Sequence, residues 1–175
     1  MSAITFIVDT LLSLALFVFL ARLLLQLARA DFRNPISQAV VRITNPVILP
    51  LRRVLPPMGK IDTASVVAVL LVAAVEVACR FALLGAFPPN SLLWVRTMLV
   101  DITSTLLWTY FYSIFLYALL SLIAPTGYSP LQSVLAALCE PVLRPFRRVI
   151  PAVAGLDLSP LWAIIAIQAL LILLR

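Results

Sequence analysis

The sequence predicts an all-α membrane protein, a tandem duplication of a helical hairpin with four transmembrane helices plus short interfacial helices that contain proline. Three observations predict it. Hydrophobic residues make up 63% of the 175 and charged residues 11%, with a mean hydropathy of +1.13. A water-soluble domain carries about 25% charged residues, so there is too little polar surface here to face water, and lipid is the expected solvent. Four apolar stretches, Ile4–Ala28, Ser65–Phe87, Ile102–Ala124 and Leu158–Leu174, approach the roughly 20 residues needed to cross a hydrocarbon core. Finally, the chain repeats itself. Pro35, Pro46, Val47, Pro50, Arg52, Arg53, Val54, Pro56 and Asp62 recur at Pro130, Pro141, Val142, Pro145, Arg147, Arg148, Val149, Pro151 and Asp157. The offset is constant and gapless, the 95 residues from Pro35 to Pro130. Self-similarity at one offset marks a duplicated unit, with 1–90 as the first repeat and 96–175 as the second.

The first stretch reads as a retained span rather than a cleaved leader. A secretory leader opens on basic residues, whereas here the first charge is Asp9 and the first base is Arg22, near the end of the apolar run. The connection after it holds Arg29, Arg33, Arg42, Arg52, Arg53 and Lys60. The corresponding connection in the second half holds Arg144, Arg147 and Arg148, while the middle connection from Pro88 to Asp101 has Arg96. Basic residues in short loops stay on the cytoplasmic side. Both basic connections are therefore expected in the cytoplasm, with the termini and the middle connection outside, in a multi-pass protein of parallel repeats.

Within each basic connection, Asn34-Pro35 and Ser129-Pro130 open apolar positions at helical spacing: Ile36, Val40, Ile43 and Val47, then Leu131, Val134, Leu135 and Leu138. A polar cap followed by proline is a favoured helix start. A second start is expected at Asn45-Pro46 and Glu140-Pro141, with Pro50 and Pro145 disturbing that second helix because each lacks a backbone donor. The expectation is short, bent helices at the inner membrane surface. Arg52, Arg53, Arg147 and Arg148 are candidate binders of lipid headgroups or of a partner, since each cation near an anionic leaflet gains about 1 kcal/mol. Asp62 and Asp157 precede the second and fourth spans. The expected role is a carboxylate at a helix N-terminus, with pairing to the neighbouring arginines as the alternative. Ser159 and Pro160 read as the cap and first residue of the last helix.

Glu76 and Arg80 lie four apart in the second span, on one helix face. As a candidate intramembrane ion pair they either lock this span against Asp9 or Asp101 or carry function, since charges inside a membrane are rare and costly. Their counterparts in the fourth span are Leu171 and Arg175. Thr103, Ser104, Thr105, Thr109 and Ser113 on the third span read chiefly as interhelical hydrogen bonders.

The chain has no histidine, which removes the commonest general base and the commonest metal ligand. Cys79 and Cys139 read as small buried hydrophobes. No Gly-rich phosphate loop occurs. The expectation is no enzyme, no catalytic residue, no metal and no cofactor. Haem, if handled, would have to be met by arginine–propionate contacts or by Tyr, Met or Cys. The net charge of +6 is interleaved with apolar segments, so anionic lipid rather than nucleic acid is the expected counterpart, beside a protein partner or a second copy of the chain.

At Asn45–Pro56 with Asp62, and at Glu140–Pro151 with Asp157-Leu158-Ser159-Pro160, the sequence resembles the YggT family of small membrane proteins. The resemblance covers essentially the whole chain as two copies of the family unit. The first copy departs from the pattern at Ala64-Ser65, where Ser-Pro is usual. The resemblance implies a bacterial cytoplasmic-membrane protein without known enzymatic chemistry. Chloroplast relatives are linked to cytochrome b6f maturation, and bacterial ones to osmotic tolerance, cation homeostasis and cell division. Two functions are expected from the residues themselves: a scaffold or assembly factor acting through the duplicated basic, proline-containing helices, or a small oligomeric transporter or channel built around Glu76, Arg80 and the polar residues of the third span.

Overall fold

The computed structural model describes residues 3–56, 62–83, 85, 90–123, 129–149 and 157–174. Lys60, Pro88, Pro151 and Arg175, and the expected span ends Phe87 and Ala124, lie outside these. Among the described residues the secondary structure is helical: α1 (Ala3–Leu27), α2 (Pro35–Val54), α3 (Thr63–Leu83), α4 (Ser91–Ile123), α5 (Pro130–Val149) and α6 (Ser159–Leu173). Three helices, α1, α3 and α4, are long and apolar enough to cross a membrane. At 1.5 Å per residue the 25 residues of α1 extend about 37 Å, against a hydrocarbon core of about 30 Å. The 15 residues of α6 reach only about 22 Å. Phe6, Leu11, Leu92, Ile123, Ile172 and Leu173 are each more than half exposed, which is costly in water and free of cost in lipid.

The boundaries have local causes. α1 closes with Arg29 in the left-handed region at φ 53. The Arg29 N–H donates to Gln26 O at 3.1 Å and the Ala30 N–H to Leu25 O at 2.9 Å, the paired bonds that satisfy the last carbonyls of a helix. α2 is capped by Asn34, whose Oδ1 accepts the Ile36 N–H at 2.9 Å. α4 begins eleven residues before the expected span start at Ile102, so that much of the expected middle connection is helical. The cause is Asn90, whose Oδ1 accepts the Leu93 N–H at 2.9 Å. An Asn90→Ala variant should lose about 1 kcal/mol of helix stability, read as faster amide exchange over 91–95 with the rest of α4 unchanged.

The expected second helix starts at Asn45-Pro46 and Glu140-Pro141 are corrected. α2 runs unbroken through Pro46 and Pro50, and α5 through Pro141 and Pro145. Prolines four residues apart fall on one face, and all four are exposed. The carbonyls they leave without an intrahelical donor therefore face outward, where water or headgroups can satisfy them. Asn45 does not cap a new helix, because its side chain accepts from Arg22.

The chain divides into two compact units, Met1–Leu23 with Val40–Leu106, and Leu24–Ala39 with Leu107–Arg175. In the first, Leu16, Phe19 and Leu20 of α1, Ile48 of α2, and Ala64, Ala68, Val69, Ala73 and Val77 of α3 are buried. The small residues of α3 permit close helix approach where lipid gives no hydrophobic drive. In the second unit α5 packs on α6. Cys139 and Leu143, one turn apart on α5, share a core with Ile114 of α4 and with Ala163, Ile167 and Leu171, successive turns of one face of α6.

Candidate functional site: arginine–carboxylate clusters

Arg52 sits in the last turn of α2, ten residues before Asp62 at the foot of α3. The Arg52 Nε donates to Asp62 Oδ2 at 3.2 Å, with Nη2 donating to the same oxygen. Asp62 is buried, while Arg52 is half exposed. The Ser65 hydroxyl donates to Asp62 Oδ2 at 2.8 Å, and the Asp62 carbonyl accepts the Ser65 and Val66 N–H groups. Asp62 thus both starts α3 and anchors α2.

Arg147 and Asp157 have the same separation and make the same pair, Nε to Oδ2 at 2.8 Å. Arg147 also reaches Glu140 Oε2 through Nη1 at 2.7 Å. Asp157 Oδ1 accepts the Ser159 N–H at 2.9 Å. The capping role expected of Ser159 is corrected: its hydroxyl is buried without a hydrogen-bond partner, Leu158 occupies the cap position, and the Asp157 carboxylate satisfies the Ser159 N–H. Pro160 stands in the first turn of α6, where its missing N–H removes no intrahelical bond.

Arg22 was missed as a site residue. It lies in the last third of α1 and is only 4% exposed. Its Nη1 donates to Thr44 Oγ1 at 2.6 Å, Asn45 Oδ1 at 2.9 Å and the Val41 carbonyl at 3.3 Å. A buried guanidinium is tolerated where acceptors and an anion offset its desolvation; here Nη1 has three acceptors, Asp62 favours the charge and Arg52 opposes it. The residue 95 positions further on is Tyr117, which favours the charged form of Arg147. The signal available in the sequence was a base inside an apolar run, followed by the polar pair Thr44-Asn45.

Burial pushes the Asp62 carboxyl up, but the bonds from Arg52 and Ser65 outweigh it and hold the group below the ordinary carboxylate range. Asp157 is likewise pushed up by burial and pulled further down by the Ser159 N–H and by Arg147. A group depressed in the folded state adds stability above its unfolded value, about 3.9 for Asp, and loses it as pH falls through the lower folded value. Thermal stability in detergent should therefore hold from neutrality down to that range and drop below it. Asp62→Asn should flatten the acid limb, and an unchanged limb would rule out this pairing as its source.

A second cluster lies within the spans of the first unit. Arg80 of α3 donates through Nε to Asp9 Oδ1 of α1 at 3.0 Å, through Nη1 to Asp101 Oδ2 of α4 at 2.8 Å, and through Nη2 to Glu76 Oε1 at 3.0 Å. Ser13 of α1 also donates to Glu76 Oε1, at 2.7 Å. Arg80 therefore ties three helices together. On α4, Thr103 and Ser104 donate to the carbonyls of Leu99 and Val100 of their own helix. For these two, the expected interhelical role is corrected: in an apolar setting a hydroxyl finds its nearest acceptor one turn back.

Burial pushes the Cys139 thiol up to about 12, so it stays protonated and weakly nucleophilic at neutral pH. Among the described residues no three His, Cys, Asp or Glu side chains are grouped to hold a metal ion.

Apolar spans, proline-containing basic helices and arginine–aspartate struts define a small helical membrane protein. A family model described as CCB3/YggT matches residues 1–83 and 97–175. The chain belongs to the CCB3/YggT family. It is 39% identical over 171 residues to "Uncharacterized protein PA0392" of Pseudomonas aeruginosa, covering 95% of this chain and 85% of that one. It is 37% identical over 161 residues to "Uncharacterized protein YggT" of Escherichia coli K12, covering 92% and 83%. A Vibrio alginolyticus protein, "Uncharacterized protein in proC 3'region", is 40% identical over 172 residues, covering 96% and 91%. No solved structure matches the chain.

Proposed function

We propose that the protein is a non-enzymatic scaffold or assembly factor of the bacterial cytoplasmic membrane. In this reading it is a tandem duplicate with four spans, α6 being the shortest of them. The basic helices lie on the cytoplasmic face and the termini outside. One observation carries the reading: the two adjacent arginines of each basic helix differ in employment. Arg52 and Arg147 are held by carboxylates, whereas Arg53 and Arg148 are exposed and in no ion pair among the described residues. The first of each pair is then a strut, and the second is available to an anionic headgroup or an acidic partner. Exposed Ile43, Val47, Leu49 and Val54 beside Arg42 and Arg53 suit α2 to the boundary between headgroups and acyl chains. The osmotic and cell-division links of the family are settings in which such a scaffold would act.

The test is Arg53→Glu with Arg148→Glu, which spares both struts. Membrane insertion and abundance should match the wild type, while partner recovery after crosslinking in native membranes should fall at least several-fold. Unchanged recovery would defeat the proposal. The second reading, an oligomeric transporter or channel for cations or osmolytes, is favoured by the polar cluster around Arg80. Ion flux above background in liposomes holding the purified protein would support it, and background flux would exclude it.

A further inference from the structure

The Arg80 cluster does not balance its charge. Three carboxylates, Asp9 from α1, Glu76 from α3 and Asp101 from α4, share one guanidinium. With all of them ionised, the group would carry two negative charges in excess among helices that are apolar enough to span a membrane. The three carboxylates are not equivalent. The side chains of Asp9 and Asp101 retain 34% and 20% exposure, but that of Glu76 retains 3%. Glu76 Oε1 accepts from both Ser13 and Arg80, whereas Glu76 Oε2 is buried with no hydrogen-bond partner. An ionised carboxylate oxygen left unsolvated and unpartnered is among the costliest arrangements in a protein interior, and protonation is the usual relief.

A metal cation is the competing relief. It needs several oxygens aimed at one point, and the three carboxylates instead engage three different nitrogens of Arg80. No metal-holding group is found among the described residues. We propose that this cluster is a proton-binding site, with one exchangeable proton held on the Oε2 of Glu76 at neutral pH. The charged groups facing it are Asp9 on α1, Arg80 on α3 and Asp101 on α4. Release of the proton adds a negative charge at the joint of three helices, so the site couples proton occupancy to how tightly α1, α3 and α4 are held. The site is independent of the scaffold reading, which rests on other residues.

The test is infrared spectroscopy of the full-length protein in native-lipid vesicles, titrated with pH and compared with Glu76→Gln. The wild type should show the C=O stretch of a protonated carboxylic acid at neutral pH, absent in Glu76→Gln. Above its midpoint the band should fall about tenfold for each further pH unit. Dicyclohexylcarbodiimide gives an independent readout. The acid O–H adds across its C=N bond, and acyl transfer to nitrogen leaves a stable N-acylurea with no group lost. Peptide mass spectrometry should find that adduct on Glu76, in a yield that tracks the infrared band. A neutral-pH spectrum with no acid band assignable to Glu76, with or without a shift on adding sodium, overturns the proposal.

Discussion

Replacing Arg80 with Gln should be the most damaging single substitution in the spans. Arg80 satisfies three carboxylates on three helices. Its loss strands charges that cannot reach bulk water without pulling the helices apart. Removing one partner of a fully buried ionic pair costs about 3–5 kcal/mol, and the lower part of that range is expected here because Asp9 and Asp101 keep 34% and 20% exposure. That is a large share of the roughly 5–15 kcal/mol net stability of a typical domain. The expected result is sharply reduced accumulation, with the residual protein unfolding at lower temperature in detergent. A second substitution separates the carboxylates. Asp101→Asn added to Arg80→Gln should restore part of the loss, because it removes one of the stranded charges. Glu76→Gln added instead should restore less, since a protonated Glu76 has little charge to remove. Wild-type behaviour of Arg80→Gln would mean that the three contacts contribute nothing to holding α1, α3 and α4.

Asp62→Ala should be the next most damaging. The carboxylate is buried, receives Arg52 and Ser65, and is the acid whose field reaches Arg22. Its loss leaves two cations in one region and frees the foot of α3. The expected cost is about 2–3 kcal/mol, below that of a fully buried pair because Arg52 is half exposed to compensating solvent or headgroups. Asp157→Ala should cost less, since that carboxylate is 42% exposed. Thermal unfolding of the two variants side by side measures the order. Equal losses would mean that burial does not set the strength of these struts.

Much of this arrangement could be read in the sequence, for identifiable reasons. The three long helices announce themselves as apolar runs, since a lipid-facing helix has no polar side to hide. The arginine–aspartate spacing was visible as well, because Arg52 and Asp62 recur as Arg147 and Asp157 at one gapless offset in the sequence. The continuity of α2 and α5 was not legible. Proline warns of a break, and only the exposed placement of all four prolines shows why none occurs. The length of α4 turned on Asn90, a single cap whose effect depends on the next residues continuing as helix. The full Arg80 cluster could not be derived from Glu76 and Arg80 alone. Their spacing fixes a shared face, but the meeting with both Asp9 and Asp101 depends on how α1 and α4 are placed around α3. Arg22 shows the same limit: its acceptors Thr44 and Asn45 are ordinary polar residues until α2 is laid against α1.

The central claim is that this family member is a membrane-embedded duplicate whose two basic connections share the cytoplasmic side. Single cysteines at Lys60, Asn90 and Gly155, placed in a background with Cys79 and Cys139 replaced by alanine, test it most directly. Labelling intact cells with a membrane-impermeant thiol reagent should mark the cysteine at 90 and spare those at 60 and 155 until the inner membrane is opened. Labelling of 60 and 155 from opposite sides of the membrane would contradict the claim.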